Sequence, residues 1–223
     1  MCDKEIYQKI KVIDTGRKSY KETWELQKKI HEKRVRDEIP DTLILTQPNH
    51  VITLGRSAKK ENLLFEEEFL KKKGIDIFKV ERGGDVTYHG PGQLVGYPIF
   101  KIKGITKIKK FVENIEESII YALKKFKISA AKDEKHPGVW VGNDKICAIG
   151  IAVKKGVSFH GFALNINPSL SYFNLIIPCG IKEKGVTSLE KILKKKINYE
   201  KVKKTVVEGF GEIFKKEIEW ERF

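Results

Sequence analysis

Cys179 stands in Ile176-Ile-Pro-Cys-Gly-Ile181, where Pro178 fixes the approach of the chain and Gly180 leaves the sulfur accessible, the setting a thiol nucleophile needs. An inert buried cysteine is the plainer alternative. Lys145 opens the otherwise apolar run Lys145-Ile-Cys-Ala-Ile-Gly150; it is either a surface lysine at a strand start or a cation beside a thiol, where it would favour the thiolate. Between residues 82 and 93 the chain reads Arg-Gly-Gly-Asp-Val-Thr-Tyr-His-Gly-Pro-Gly-Gln. Glycines there let backbone approach a ligand closely, and Arg82, Thr87, Tyr88 and His89 can orient it. No Gly-Lys-Ser/Thr ends this loop and its glycine spacing is not that of a dinucleotide fingerprint, so phosphate-cradling loops of those two kinds are excluded. Cys147 is a rival nucleophile, because two residues along a strand would return it to the face of Lys145.

The elements that must hold these residues follow from periodicity. Ile6 to Ile13 reads as a strand, and Tyr20, Trp24, Leu26, Ile30, His31 and Val35 mark a helix with an apolar stripe that Pro40 ends. Thr42 to Thr46 and Val51 to Arg56 are strands of one sheet. Glu66 to Lys73 is a short helix stopped by Gly74, and Ile75 to Val80 alternates as a strand leading into the glycine-rich loop. Leu94 to Phe100 is strand-like. Ile108, Phe111, Val112, Ile115, Ile119, Ala122, Leu123 and Phe126 recur at three- and four-residue spacing, the strongest helix signal in the chain. Val139 to Val141, Lys145 to Val153 and Val157 to Ile166 form a meander turned at Asn143-Asp144 and Lys155-Gly156. A loop from Asn167 to Gly185 precedes helices at Thr187 to Lys194 and Glu200 to Lys215. The reading is one α/β domain over residues 1–223, with a central mixed β-sheet flanked by helices.

Composition bounds the setting. Forty per cent hydrophobic residues argue for a packed core, and 44 Lys plus Arg against 30 Asp plus Glu leave a net charge of +14 that favours acidic partners. The lysines are dispersed and not interleaved with aromatics, so a basic nucleic-acid-binding domain is the weaker reading and an acidic protein the stronger. Three cysteines (Cys2, Cys147 and Cys179) without CxxC pairs suggest neither a disulfide framework nor a zinc site. With no apolar run of membrane-spanning length and charges at the N-terminus, a cytoplasmic protein that contacts neither nucleic acid nor membrane is expected.

Six blocks in order resemble the octanoyl-carrier-protein:protein octanoyltransferases, relatives of the lipoate and biotin protein ligases. They are Val51-Ile-Thr-Leu-Gly-Arg56, the run from Arg82 to Pro98, Gly138-Val-Trp-Val141, Lys145-Ile-Cys-Ala-Ile-Gly150, His160-Gly-Phe-Ala-Leu-Asn165, and Pro178-Cys-Gly180 followed by Val186-Thr-Ser-Leu189. The resemblance implies a biotin/lipoate protein ligase-like catalytic fold. It implies octanoyl transfer from octanoyl-acyl carrier protein through a Cys179 thioester to the lysine of a lipoyl domain, in 2-oxoacid dehydrogenases or the glycine cleavage H protein. Lys145 then lowers the thiol pKa, and no cofactor is needed beyond the carrier's own phosphopantetheine arm. Acyl-binding positions map to Arg82, Gly83, Gly84, Asp85, Val86, Thr87, Tyr88 and His89, to Ala148, Ile149 and Gly150, and to Gly161, Phe162 and Ala163; His160 is a supporting or proton-handling residue. Asp85 departs from the Gln that many relatives carry. An ATP-dependent lipoate ligase or transfer between two lipoyl-bearing domains is the alternative on the same fold.

Overall fold

Ile10 and Val12 are fully buried on β1 (Lys9–Lys18), while Lys9 and Lys11 turn to the other face and pair with Glu219 and Glu221. This alternation makes β1 a half-buried strand. The computed structural model describes residues 8–177 and 184–221, except for the side chain of residue 105. After β1 come α1 (Tyr20–Val35), β2 (Asp41–Pro48), β3 (Val51–Leu54), α2 (Glu67–Lys72), β4 (Asp76–Lys79), β5 (Val86–His89) and β6 (Gln93–Ile99). Then follow α3 (Ile108–Lys125), β7 (Ala131–Lys132), β8 (Gly138–Val141), β9 (Asp144–Lys154), β10 (Val157–Asn165), β11 (Gly185–Val186), α4 (Leu189–Leu193), α5 (Tyr199–Phe214) and β12 (Glu217–Trp220).

The large sheet runs β12-β1-β2-β6-β10-β9-β8-β7, with β11 also pairing β9. Its β12-β1-β2 side is parallel and the strands from β6 onward are antiparallel, so the sheet is mixed as expected. Alternation sorts its side chains. Leu43, Leu45, Leu94, Phe162 and Leu164 face α3 and α5, whose Phe111, Ile115, Ile119, Val206 and Phe210 complete one core. Ile44, Val95, Tyr97, Ile99 and Ala163 face the other way, toward α1. A second sheet, β4-β3-β5, lies over that other face and carries a small core of its own around Ile52, Leu70, Ile75 and Tyr88.

Several elements differ from the sequence reading for local reasons. Val86 to His89 is a strand and not part of a loop, because it pairs antiparallel with β3. The turn before β9 falls at Gly142–Asn143, one residue early, since Gly142 supplies the positive φ of 59°. Residues 170–175 form a 3-10 helix, and β12 was hidden by its charges. α1 is closed at its start by a Ser19–Glu22 capping box and ends at Val35, short of Pro40. Its most buried face is polar-rich, with Thr23, Gln27, His31 and Arg34; the apolar Trp24, Leu26 and Ile30 are only partly buried.

Phe210 anchors the larger core, stacked on Phe214 at 5.5 Å and beside Phe162 at 5.7 Å. Phe210→Ala is expected to remove about 3–5 kcal/mol of stability, read as a lowered urea midpoint with an unchanged slope. A loss below about 1 kcal/mol would contradict this packing.

Candidate active site

Strands β9 and β10 pair Ala148 with Ala163 and Gly150 with Gly161, so the sheet face between them carries almost no side-chain bulk. A trough results. Thr53, Thr87 and His89 of the small sheet roof it, Tyr20, Val95 and Tyr97 wall it, and the enclosed space is about 540 Å³. Close approach requires glycine at 161, where a Cβ would come within 2.0 Å of the Gly96 carbonyl oxygen, and leaves little room at Gly150, where one would lie 3.0 Å from the Gly83 carbonyl oxygen and 3.2 Å from the Arg82 side chain.

The glycine-rich segment closes the trough by docking on β9. Partner strand β8 pairs β9 only as far as Ala148, and beyond that point the Gly83 N–H donates to the Ile151 carbonyl at 2.9 Å. Arg82 is buried with its guanidinium on β3, donating to the Thr53 carbonyl at 2.7 Å and the Thr53 hydroxyl at 2.9 Å. Asp85 accepts from the Val86 and Lys59 amides and from the Asn62 side chain, tying the loop to the following segment. Arg82, Gly83, Gly84, Asp85, Val86, Thr87 and His89 all line the cavity, as do Ala148, Ile149, Gly150, Gly161, Phe162 and Ala163. Tyr88 does not. Period-two alternation turns it into the small core, where its ring stacks on Tyr172 and its hydroxyl meets His50 Nδ1 at 2.6 Å, so the expected role for Tyr88 at the ligand is corrected to a packing role. Tyr20, Thr53, Tyr97, Val112 and Pro137 line the cavity without having been singled out; of these only Thr53 and Tyr97 lay in a recognisable block.

Lys145 reaches the mouth of this cavity because β9 is bulged. The β8 register passes from Val139↔Cys147 to Trp140↔Lys145, two residues on β9 against one on β8. The extra residue puts Lys145 in phase with Ala148, while Ile146 and Cys147 both pack into the α3/α5 core. Cys147 therefore does not share the face of Lys145, contrary to simple alternation, and burial pushes its thiol pKa far up, against the weaker opposing effect of Lys145. A buried neutral thiol is no nucleophile. The Lys145 ammonium donates to the Pro137 carbonyl at 3.3 Å and lies 4.6 Å from the centre of the Trp140 ring; Lys184 sits 4.3 Å from the same ring and pairs with Asp133. Cys179 lies outside the described residues. The chain on either side of that gap is anchored, by the Ile177 N–H on the Asn62 carbonyl at 2.9 Å and by β11, where Val186 is the register partner of Lys145.

Two histidines border the cavity in neutral form. His89 is held down to about 3, first by burial and then by the neighbouring Arg82 charge, with the hydrogen bond to Gln93 opposing. His160 is held down to about 4 by burial, against the pull of Glu81, whose Oε2 lies 3.5 Å from Nε2. Alternation would send His160 toward α3 and α5, but its φ of 61° turns the ring to the cavity side and its amide to Gln27 Oε1 at 3.1 Å. His tolerates this left-handed geometry better than most residues.

A large mixed sheet flanked by helices is the fold that this chain shares with lipoate protein ligases of solved structure. The backbone aligns with lipoate-protein ligase A bound with ATP at a TM-score of 0.76 and 13% identity, over 97% of this chain and 89% of that one. A putative lipoate protein ligase from T. acidophilum with bound lipoic acid aligns at 0.74 and 13% identity, over 97% and 90%. Biotin protein ligase from Aquifex aeolicus aligns at 0.52. At the sequence level the lipoyl protein ligase A/B catalytic domain model matches residues 19–211. The octanoyltransferase of Caldicellulosiruptor saccharolyticus is 52% identical over 198 residues, 87% of this chain and 84% of that protein; that of Dictyoglomus thermophilum is 51% identical over 208 residues, 91% and 88%. The chain belongs to the lipoyl protein ligase A/B catalytic domain family, and within it to the acyltransferases. Among the described residues no helix is long and apolar enough to cross a membrane.

Each buried histidine binds a proton more weakly folded than unfolded, so the unfolded chain protonates first as pH falls below the ordinary 6.5. Stability from these two groups is intact above that pH and declines from 6.5 down to about 4 for His160 and about 3 for His89. His89→Asn should flatten this decline in urea midpoints taken at intervals across the window; an unchanged slope would show that His89 does not cause it.

Proposed function

We propose that this enzyme moves an octanoyl group, through a thioester on Cys179, to the lysine of a lipoyl domain. The observation that carries the reading is the position of Lys145: it stands at the open end of an apolar trough and is in register with Val186, two residues after the chain returns at Lys184. An ammonium there favours the thiolate of a cysteine carried on the segment between Ile177 and Lys184, and Lys184 beside the Trp140 ring adds a second positive charge. The Cys179 thiolate attacks the carbonyl carbon of the octanoyl thioester on the donor's phosphopantetheine arm. The donor thiolate leaves, taking a proton that Lys145 can deliver. The acceptor lysine, as free amine, then attacks the enzyme thioester; the C–S bond breaks to release Cys179 as thiolate, the amide forms, and the amine's proton passes to the neutral Lys145, restoring the ammonium.

The trough suits the acyl chain because its floor is two small-residue pairs, and the Arg82 guanidinium above Gly150 is turned into hydrogen bonds with Thr53 and Gly83. Each methylene buried there contributes about 0.8 kcal/mol. Octanoyl-acyl carrier protein as donor, and the lipoyl domains of 2-oxoacid dehydrogenases and the glycine cleavage H protein as acceptors, fit a chain of net charge +14, since carriers of this type are acidic. Their approach is accelerated by long-range attraction.

Intact mass after incubation with octanoyl-acyl carrier protein tests the chemistry. Wild type should gain one octanoyl group and discharge it onto an apo lipoyl domain, and Cys179→Ala should gain none. Transfer that requires free octanoate and ATP would overturn the reading in favour of a ligase. Lys145→Met should slow acylation by about 10²–10⁴-fold while leaving the melting temperature in place. Raising ionic strength should lower kcat/KM for the carrier-bound donor far more than for a small octanoyl thioester, because salt screens the steering field; equal losses for both donors would exclude it.

A further inference from the structure

The trough does not end where its cavity ends. Along one face of β9 and β10 the cross-strand pairs are Ala148 with Ala163, Gly150 with Gly161, and then Ala152 with Phe159. The first two pairs floor the cavity of about 540 Å³ that holds Lys145 at its mouth. The third floors a separate cavity of about 740 Å³ on the far side, bounded by α1 and by Glu81. One face of the two strands thus passes beneath two spaces, with small side chains under the first.

What divides them is the contact between His160 and Glu81. His160 lines the first cavity and Glu81 lines the second, and they meet at 3.5 Å. The ring stands there only because of the left-handed backbone at residue 160, and it is fixed further by Phe159, whose ring centre lies 4.4 Å away. Its Nε2 is buried with no hydrogen bond. With only the 3.5 Å approach of the Glu81 carboxylate to satisfy it, this buried nitrogen costs stability, and it is retained here at the end of the small-residue floor.

We propose that the His160–Glu81 pair is the partition that limits acyl chain length, stopping a chain that enters past Lys145 and keeping the second cavity out of reach. The inference rests on the first cavity being the acyl site. A terminal methyl meets the imidazole at the end of the Gly150–Gly161 pair, and additional carbons must displace the ring and Glu81. With the pair removed, the next carbons lie on Ala152 and Phe159, the apolar floor of a cavity whose walls carry Lys28, Glu32, Arg36 and Arg56.

The test compares self-acylation rates with octanoyl-, decanoyl- and dodecanoyl-acyl carrier protein, read by intact mass, for wild type, His160→Gly and Glu81→Ala. Glycine keeps the left-handed backbone without strain. Wild type should fall off sharply beyond octanoyl. In His160→Gly the rate with the longer chains relative to octanoyl should rise, by roughly tenfold for each two carbons added. Glu81→Ala, at an exposed side chain, should relax the limit in the same direction and decides the matter if the glycine variant shows no cooperative melt. A folded variant that keeps the wild-type cut-off overturns the partition. Failure of wild type itself to take octanoyl would instead overturn the acyltransfer reading on which the partition rests, so the two failures are distinguishable.

Discussion

Where β8 stops pairing, β9 is left with an open edge, and the Gly83 amide completes it through the Ile151 carbonyl. A sheet edge left bare is a liability, and an amide in a glycine-rich loop is a small remedy. Much else depends on it. Because the loop comes this close, a side chain on Gly150 would press on the Gly83 carbonyl and on Arg82; for the same reason Arg82 reaches β3, where its guanidinium binds Thr53 as well as the Gly83 carbonyl. The cavity is what remains between a loop that cannot approach further and a floor that has no side chains to fill the gap.

The bulge at Ile146 is the second constraint. Without it, Lys145 would share a face with Cys147 and Ile149, directed into the α3/α5 core, where an ammonium would be desolvated and unable to reach a ligand. One additional residue exchanges the two faces. The cost is that Ile146 and Cys147 both enter the core, which the bulge accommodates against Val139 and Leu164.

Much of this was legible from the chain. Period-two and three-to-four spacing located α3, β9, β10 and α5 to within a residue or two, and the ordered blocks pointed to the segments that the fold gathers around one trough. What was not legible has physical reasons. The bulge has no composition signal, so the phase of Lys145 relative to Cys147 came out inverted. The left-handed residue at 160 is a histidine and not a glycine, so its turn toward the cavity could not be foreseen. Tyr88 sits amid cavity-lining residues in sequence but alternates away from them, which becomes visible only once Val86 to His89 is known to be a strand. β12 is made of Glu217-Ile-Glu-Trp220, whose charges belong on an edge and look like a tail.

The floor and roof of the trough belong to different cores. Strands β9 and β10 are held by the extended cluster that α3 and α5 bury, whereas β3, β4 and β5 rest on a much smaller one centred on Ile52 and Tyr88. Cooperative units of such unequal size open at different free energies. The roof can therefore unlatch while the floor stays intact, and amides of β3 and β5 will exchange with solvent sooner than those of β10. A narrow closed trough is thereby given a way to admit and release a long flexible chain without disturbing the strands that measure it.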